Sequence, residues 1–193
     1  QVFPVDLDNR EACLALAGCD VLFGCVDSAK GREDLAAIGA FYCLPCIDVG
    51  MRLDPDGSGG VKAINGHLHY LIPGEFSLRD FGIYTDKQVH ADALKKSDPE
   101  AYASEVRAGY IAGVNEDSPA VISLNGFVAS LAVNELRFRL HPCRSIEPQE
   151  YRAVGVAVSE MALFPQKPLA AEPSPYLVAR VGRGDVTPLL DNP

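Results

Sequence analysis

A short apolar run that stops at a carboxylate and a serine constrains this chain more than any other feature: Asp20-Val21-Leu22-Phe23-Gly24-Cys25-Val26-Asp27-Ser28. Val21, Leu22, Phe23 and Val26 are β-compatible, and a run without polar alternation predicts a strand buried on both faces, as in a parallel sheet covered by helices. In open α/β sheets small molecules bind outside the carboxyl ends of the strands. Asp27 falls at such an end, and Ser28 has the side chain to cap a following helix. Asp27 is therefore the first candidate for the centre of a site. The competing assignment is that Asp27 itself caps the helix, a common use of aspartate at a strand end.

Around that strand the chain alternates between strand and helix patterns. Val2-Phe3-Pro4-Val5 predicts a strand. Asp8-Asn9-Arg10-Glu11 predicts a capping box with Asp8 as cap, opening a short helix through Cys13, Leu14 and Leu16 that stops near Gly18. From Ser28 a second helix runs to about Tyr42, with Leu35, Ile38 and Tyr42 on one face. Pro45 separates it from a strand at Cys46-Ile47-Asp48-Val49. Strand, helix, strand, helix, strand implies parallel strands with right-handed crossovers, so the expected class is α/β with a doubly wound, mostly parallel sheet.

The pattern changes at Gly50. Asp54-Pro55-Asp56-Gly57-Ser58-Gly59-Gly60 predicts a turn between two further strands, and Val61 to Ile72 predicts one long or two short antiparallel strands bent at Gly66. Pro73 to Ser118 reads as a polar crossover segment, helical from roughly Asp86 to Ala112. Pro119 to Leu140 predicts a long helix whose Ile122, Val128, Leu131 and Leu136 form an apolar stripe over the sheet. A strand at Tyr151 to Val158 closes a first domain, residues 1–158. Residues 159–193 form a proline-rich tail, extended and in need of a docking surface.

Acidic residues outnumber basic ones, 26 to 17, and no basic cluster offers the footprint that nucleic acid or an anionic membrane requires. No apolar run reaches the roughly 20 residues of a membrane span, and no signal-peptide pattern is present, which together point to the cytoplasm. Cys13, Cys19, Cys25, Cys43, Cys46 and Cys143 read as buried free thiols rather than a disulfide framework. Cys43-Leu44-Pro45-Cys46 has the spacing of a redox pair, but a helix ends there and its dipole would oppose a thiolate, so packing at a helix-to-strand junction is the better reading. His67 and His69 point the same way on a strand. They could be a metal-binding pair, though polar residues on an exposed antiparallel face are the expectation.

Several of these stretches, taken in order, are familiar. Asp20 to Ser28 with Arg32, Pro45-Cys46-Ile47-Asp48-Val49-Gly50, Asn65-Gly66-His67-Leu68-His69-Tyr70-Leu71-Ile72-Pro73-Gly74, and Ser123-Leu124-Asn125-Gly126 with Ala132-Val133-Asn134-Glu135 resemble the second half of the ThiF/MoeB-type adenylyltransferases, relatives of the ubiquitin-activating enzymes. The ending Gly182-Arg183-Gly184-Asp185-Val186-Thr187-Pro188-Leu189-Leu190 is similar to that of a bacterial subgroup. The resemblance spans nearly the whole chain.

What it implies is a Rossmann-like sheet that binds ATP with Mg and transfers AMP to the C-terminal carboxylate of a ubiquitin-like or sulfur-carrier protein, or of a peptide, in a homodimer. Asp27 matches the family aspartate that positions the metal and the triphosphate. Arg32 matches an arginine near the same site, and Cys25, Val26 and Ser28 would line the ATP pocket. The family's glycine-rich phosphate loop precedes the strand at Val2, so either this chain is the C-terminal portion of a longer protein or its site is completed elsewhere. Two C-x-x-C pairs hold a structural zinc in many members. Here the aligned positions read Ser77-Leu78-Arg79-Asp80 and Ser174-Pro175-Tyr176-Leu177, which cannot supply four soft ligands, so no such zinc is expected. Asp80 to Pro119 also lacks a cysteine to receive the activated acyl group. The alternative is a non-catalytic descendant that keeps the protein-binding surface as a scaffold or regulatory domain.

Overall fold

A computed structural model describes residues 2–111, 121–141, 143–145, 147 and 150–184. Five strands form one mixed sheet in sequential order: β1 (Leu22–Gly24), β2 (Cys46–Pro55), β3 (Val61–Leu71), β4 (Ala153–Ala157) and β5 (Ala162–Pro165). β1 and β2 are parallel, with α2 (Ala29–Tyr42) between them, and every later pair is antiparallel. The class is thus α/β, but the mostly parallel sheet expected from the alternation is corrected to a single β-α-β unit continued as an antiparallel meander.

Two local facts account for the difference. Val2-Phe3-Pro4-Val5 is not a strand: Val2 and Val5 are exposed, and proline removes one of the few donors so short a strand would have. And β2 does not stop at Val49. It runs through Gly50 to Pro55 and reverses into β3 over a turn in which the Asp56 carboxylate accepts from Ser58 N–H (2.7 Å), Ser58 Oγ–H (2.8 Å) and Gly60 N–H (2.9 Å). β3 is one continuous strand.

The first helix, α1 (Arg10–Leu16), is capped by Asn9, which accepts from Glu11 N–H at 2.9 Å. Asp8, expected as the cap, instead pairs with Lys96 at 2.6 Å. The second helix starts where the sequence predicts. Ser28 accepts from Gly31 N–H at 3.0 Å, and the helix ends on Cys43 in the left-handed region, φ 57°. Its inner face joins Leu35 and Ile38 to Cys13, Leu22, Leu44 and Cys46 in one apolar cluster.

β1 is buried on one face only. Leu22 and Gly24 are covered, whereas Phe23 is 44% exposed, because the covering helix on that side, α5 (Ile122–Leu140), packs on β2 and β3. There Val128 and Ala132 meet Ile47, Val49, Leu68 and Val154, with Leu131 and Leu136 packed against them. Ile122, expected in that stripe, is 89% exposed in the helix's first turn.

The polar crossover holds two helices, α3 (Asp86–Ser97) and α4 (Pro99–Arg107), broken at Asp98-Pro99, where Asp98 ends one and caps the other. Thr85 and Gln88 form a reciprocal capping box at the start of α3. Of the tail, β5 pairs with β4, and α6 (Pro175–Val178) lays Leu177 against Ala37 and Ala40 of α2. That part of the tail docks on its own chain. Ala112 to Ala120, including the Pro119 helix start, and Asp185-Val186-Thr187-Pro188-Leu189-Leu190 lie outside the described residues. Among the described residues no helix is long and apolar enough to cross a membrane.

Candidate functional site

β1 ends at Gly24, while β2 continues seven residues past its last pairing with β1, so the carboxyl end of β1 opens onto the flank of a longer neighbour. Cys25, Val26 and Asp27 turn across that opening, and the first turns of α5 close the far side through Leu124 and Asn125. The result is a cavity of about 700 Å³ whose wall includes Cys25, Val26, Asp27, Arg32 and Gly50. That volume lies within the range of small-molecule sites.

Of the five residues singled out from sequence, four line this cavity. Ser28 does not, because its hydroxyl is used to cap α2. That settles the competing reading of Asp27: the cap is the serine. Asp27 is exposed, and its carboxylate makes no hydrogen bond or ion pair with the described residues. A free carboxylate at a strand end is a hard oxygen donor suited to Mg, which takes one or two protein carboxylates and completes its shell with phosphate oxygens and water. Among the described residues no group of three or more histidines, cysteines or carboxylates is arranged to hold a metal by protein ligands alone.

Behind the cavity wall lies a buried polar cluster that the sequence reading missed. On β2 the even positions Cys46, Asp48 and Gly50 share the face toward α2, and their β3 partners on that face are Leu71, His69 and His67. Asp48 is fully buried. Its Oδ2 lies 2.9 Å from His67 Nε2 and 3.8 Å from Arg32 Nε. His69 is also fully buried, its ring centroid 4.6 Å from that of Phe81 in a tilted contact, with no hydrogen-bond partner for either ring nitrogen among the described residues.

The exposed face expected for His67 and His69 is therefore corrected. The segment after β3 folds back over it, bringing Phe81 onto His69 and burying Ser77, Leu78 and Asp80. The available signal was the pairing of two periods: a carboxylate and a glycine at i and i+2 on one strand, two histidines at i and i+2 on the next.

Burial sets the protonation of these groups. Desolvation, with His67 and Arg32 nearby, pushes His69 down to about 3, so the ring is neutral at physiological pH. Burial and the neighbouring Asp48 charge push the Cys25 thiol up, and burial pushes Cys46 up further. Cys25 thus lines the cavity as a thiol rather than an activated thiolate.

All six cysteines are free. Cys13 and Cys46 are buried, but Cys19, Cys25, Cys43 and Cys143, expected inside, are exposed at or beyond the ends of helices and strands. At the helix-to-strand junction Cys46 packs in the core, while Cys43 is the exposed C-cap residue of α2. In the two stretches Ser77–Asp80 and Ser174–Leu177, Ser77 N–H and Oγ–H both bond Asp80 Oδ2, at 2.7 and 2.8 Å, while Leu177 packs on α2. No family model matches the chain, and no curated protein matches it.

Proposed function

We propose that this chain is an adenylyltransferase domain of the ThiF/MoeB type, which activates the C-terminal carboxylate of a ubiquitin-like or sulfur-carrier protein, or of a peptide, with ATP. What carries the reading is the free Asp27 carboxylate beside Arg32 in a cavity of small-molecule size at the carboxyl end of β1. The Rossmann-like part of the fold is then the β1-α2-β2 unit. A homodimer and a cytoplasmic location belong to the same proposal.

In the reaction a carboxylate oxygen of the acceptor attacks the α-phosphorus of ATP. One P–O bond forms, the bridging bond to the β-phosphate breaks, and pyrophosphate leaves with the electron pair. Asp27 is the residue that would hold Mg, which when bound offsets the charge growing on pyrophosphate. Arg32, which lines the same cavity, offers a planar set of donors to phosphate oxygens. Val49 and Met51 give part of the cavity wall an apolar surface.

Pyrophosphate exchange into ATP, driven by the acceptor carboxylate, tests this on the full natural product that contains the chain. Labelled ATP that forms only with the acceptor present supports it, and no exchange with any carboxylate-terminated carrier sinks it. A second reading, a non-catalytic scaffold, is favoured by one observation: a structural Ser77-Asp80 clasp stands where the resemblance would put a pair of zinc cysteines. A scaffold would bind its carrier without exchange.

A further inference from the structure

An arginine in the first turn of a surface helix is ordinarily solvated and spread over many rotamers. Arg32 is held instead. Its side chain is 14% exposed and lies across Gly50, where an added Cβ would come within 2.8 Å of Nη2 and 2.6 Å of His67 Cε1. Asp48 stands beneath, its Oδ2 facing both Arg32 Nε and His67 Nε2, while its Oδ1 sits where a Cβ on Gly24 would be, at 2.4 Å. Gly50 therefore clears the room for the two partners, Arg32 and His67, and Gly24 on the adjacent strand clears it for the fully buried carboxylate. Such a group is tolerated only when paired, and both of its partners are cations or donors at the cavity side of the sheet.

We infer that Asp48 is a positioning residue, which with His67 fixes the guanidinium of Arg32 at the wall of the Asp27 cavity as a receptor for a phosphate-type oxyanion. Asp48 does not line the cavity and acts only through Arg32. The identity of the anion as a nucleotide phosphate rests on the function proposed above; the fixing of Arg32 does not. The buried Arg32 Nε has no hydrogen-bond partner among the described residues, so the side chain is oriented by charge and by shape while retaining donor capacity.

The test reads Arg32 directly, by 15N NMR of its side-chain Nε–H, assigned with Arg32→Lys, alongside calorimetric titration with MgATP. In the unaltered protein rotation about the Nε–Cζ bond is slow. Asp48→Asn is expected to speed it about tenfold and to weaken MgATP binding about tenfold, whereas His67→Gln, whose amide nitrogen can donate in place of Nε2, holds both within about threefold. His67→Ala falls between. An Asp48→Asn protein that is folded but keeps the native Arg32 rotation rate overturns the inference. Should Asp48→Asn not fold, His67→Ala decides, and an unchanged Arg32 rate there overturns it equally. If Arg32 is loosened but no protein binds MgATP, the positioning role stands and the nucleotide reading falls.

Discussion

The two faces of β2 and β3 are built from alternate residues of the same strands, yet at the middle of the strands they are filled differently, the buried Glu135 of α5 and its arginines lying farther along the helix. Toward α5, Ile47, Val49 and Leu68 meet Val128, Ala132 and Val154 with no polar atom among their side chains. Toward α2, the intervening positions put Asp48, His67 and His69 under Arg32 and Phe81, with Gly50 left bare to admit them. The contrast teaches how a costly polar cluster is kept in register. A slip of one residue would exchange the two sets, so the apolar face, which strongly resists such a slip, is what holds the polar face in place. One face supplies stability and the other spends some of it on a fixed charge arrangement.

That division can be broken from either side. The largest effect belongs to the cavity that the polar side adjoins: Asp27→Asn is expected to lower pyrophosphate exchange about a thousandfold while leaving thermal unfolding unchanged, since its carboxylate bonds none of the described residues. A large drop in melting temperature would mean the aspartate is structural. On the apolar side Ile47, which is fully buried, should lose about 2–5 kcal/mol on replacement by alanine, read from the urea midpoint at constant slope. A cost below 1 kcal/mol would show that the α5 face does not dominate.

His69 sharpens the comparison through pH. Its pKa falls from 6.5 in the unfolded chain to about 3 in the fold, so below 6.5 the unfolded state binds a proton that the native state refuses. Stability is therefore lost as pH drops through the window from 6.5 to 3, by about 1.4 kcal/mol per unit from this group. Denaturant melts at pH 6.5 and 5 should differ by about 2 kcal/mol more in the native protein than in His69→Leu, and equal slopes would contradict the buried neutral ring. The smallest effect is expected at Ile122, whose exposure predicts that serine there changes stability by less than about 0.5 kcal/mol.

What could be read from the sequence was whatever depended on neighbours close along the chain. Ser28 and the helix to Tyr42 were legible because a cap and an apolar face are local. The Asp54–Gly60 turn was legible because glycine, aspartate and proline set it directly. Gly50 misled for a physical reason. Glycine inside a strand ordinarily marks a break, whereas here it is absence of a side chain that is needed, to seat Arg32 and His67. The strand continues, so the antiparallel ribbon expected after Gly50 starts within β2 itself.

The site divides the same way. Asp27 could be singled out from its place at a strand end, and Arg32 only from the resemblance; the structure puts both on the wall of one cavity. Asp48, His67 and His69 gained their meaning only when the segment carrying Ser77 and Phe81 returned to cover them, a long-range contact no local pattern announces. Tyr84 and Arg79, both bonded to Glu33 of α2, hold that segment down.

The sequential order of the strands bears on how the molecule assembles. Everything that builds the cavity floor and the Arg32 mount, β1 through β3, is contiguous, so its pairings join residues near each other along the chain and can form early. Only the β3–β4 pairing must wait for a distant partner, across the segment between Leu71 and Ala153. Loop-closure entropy rises only as the logarithm of length, roughly 0.6 kcal/mol for each doubling. Within the excursion between these two strands α4, which buries no residue, can therefore be lengthened, shortened or exchanged over evolutionary time at little thermodynamic expense, whereas Phe81 and α5 stay fixed by the charge cluster and the apolar face they cover.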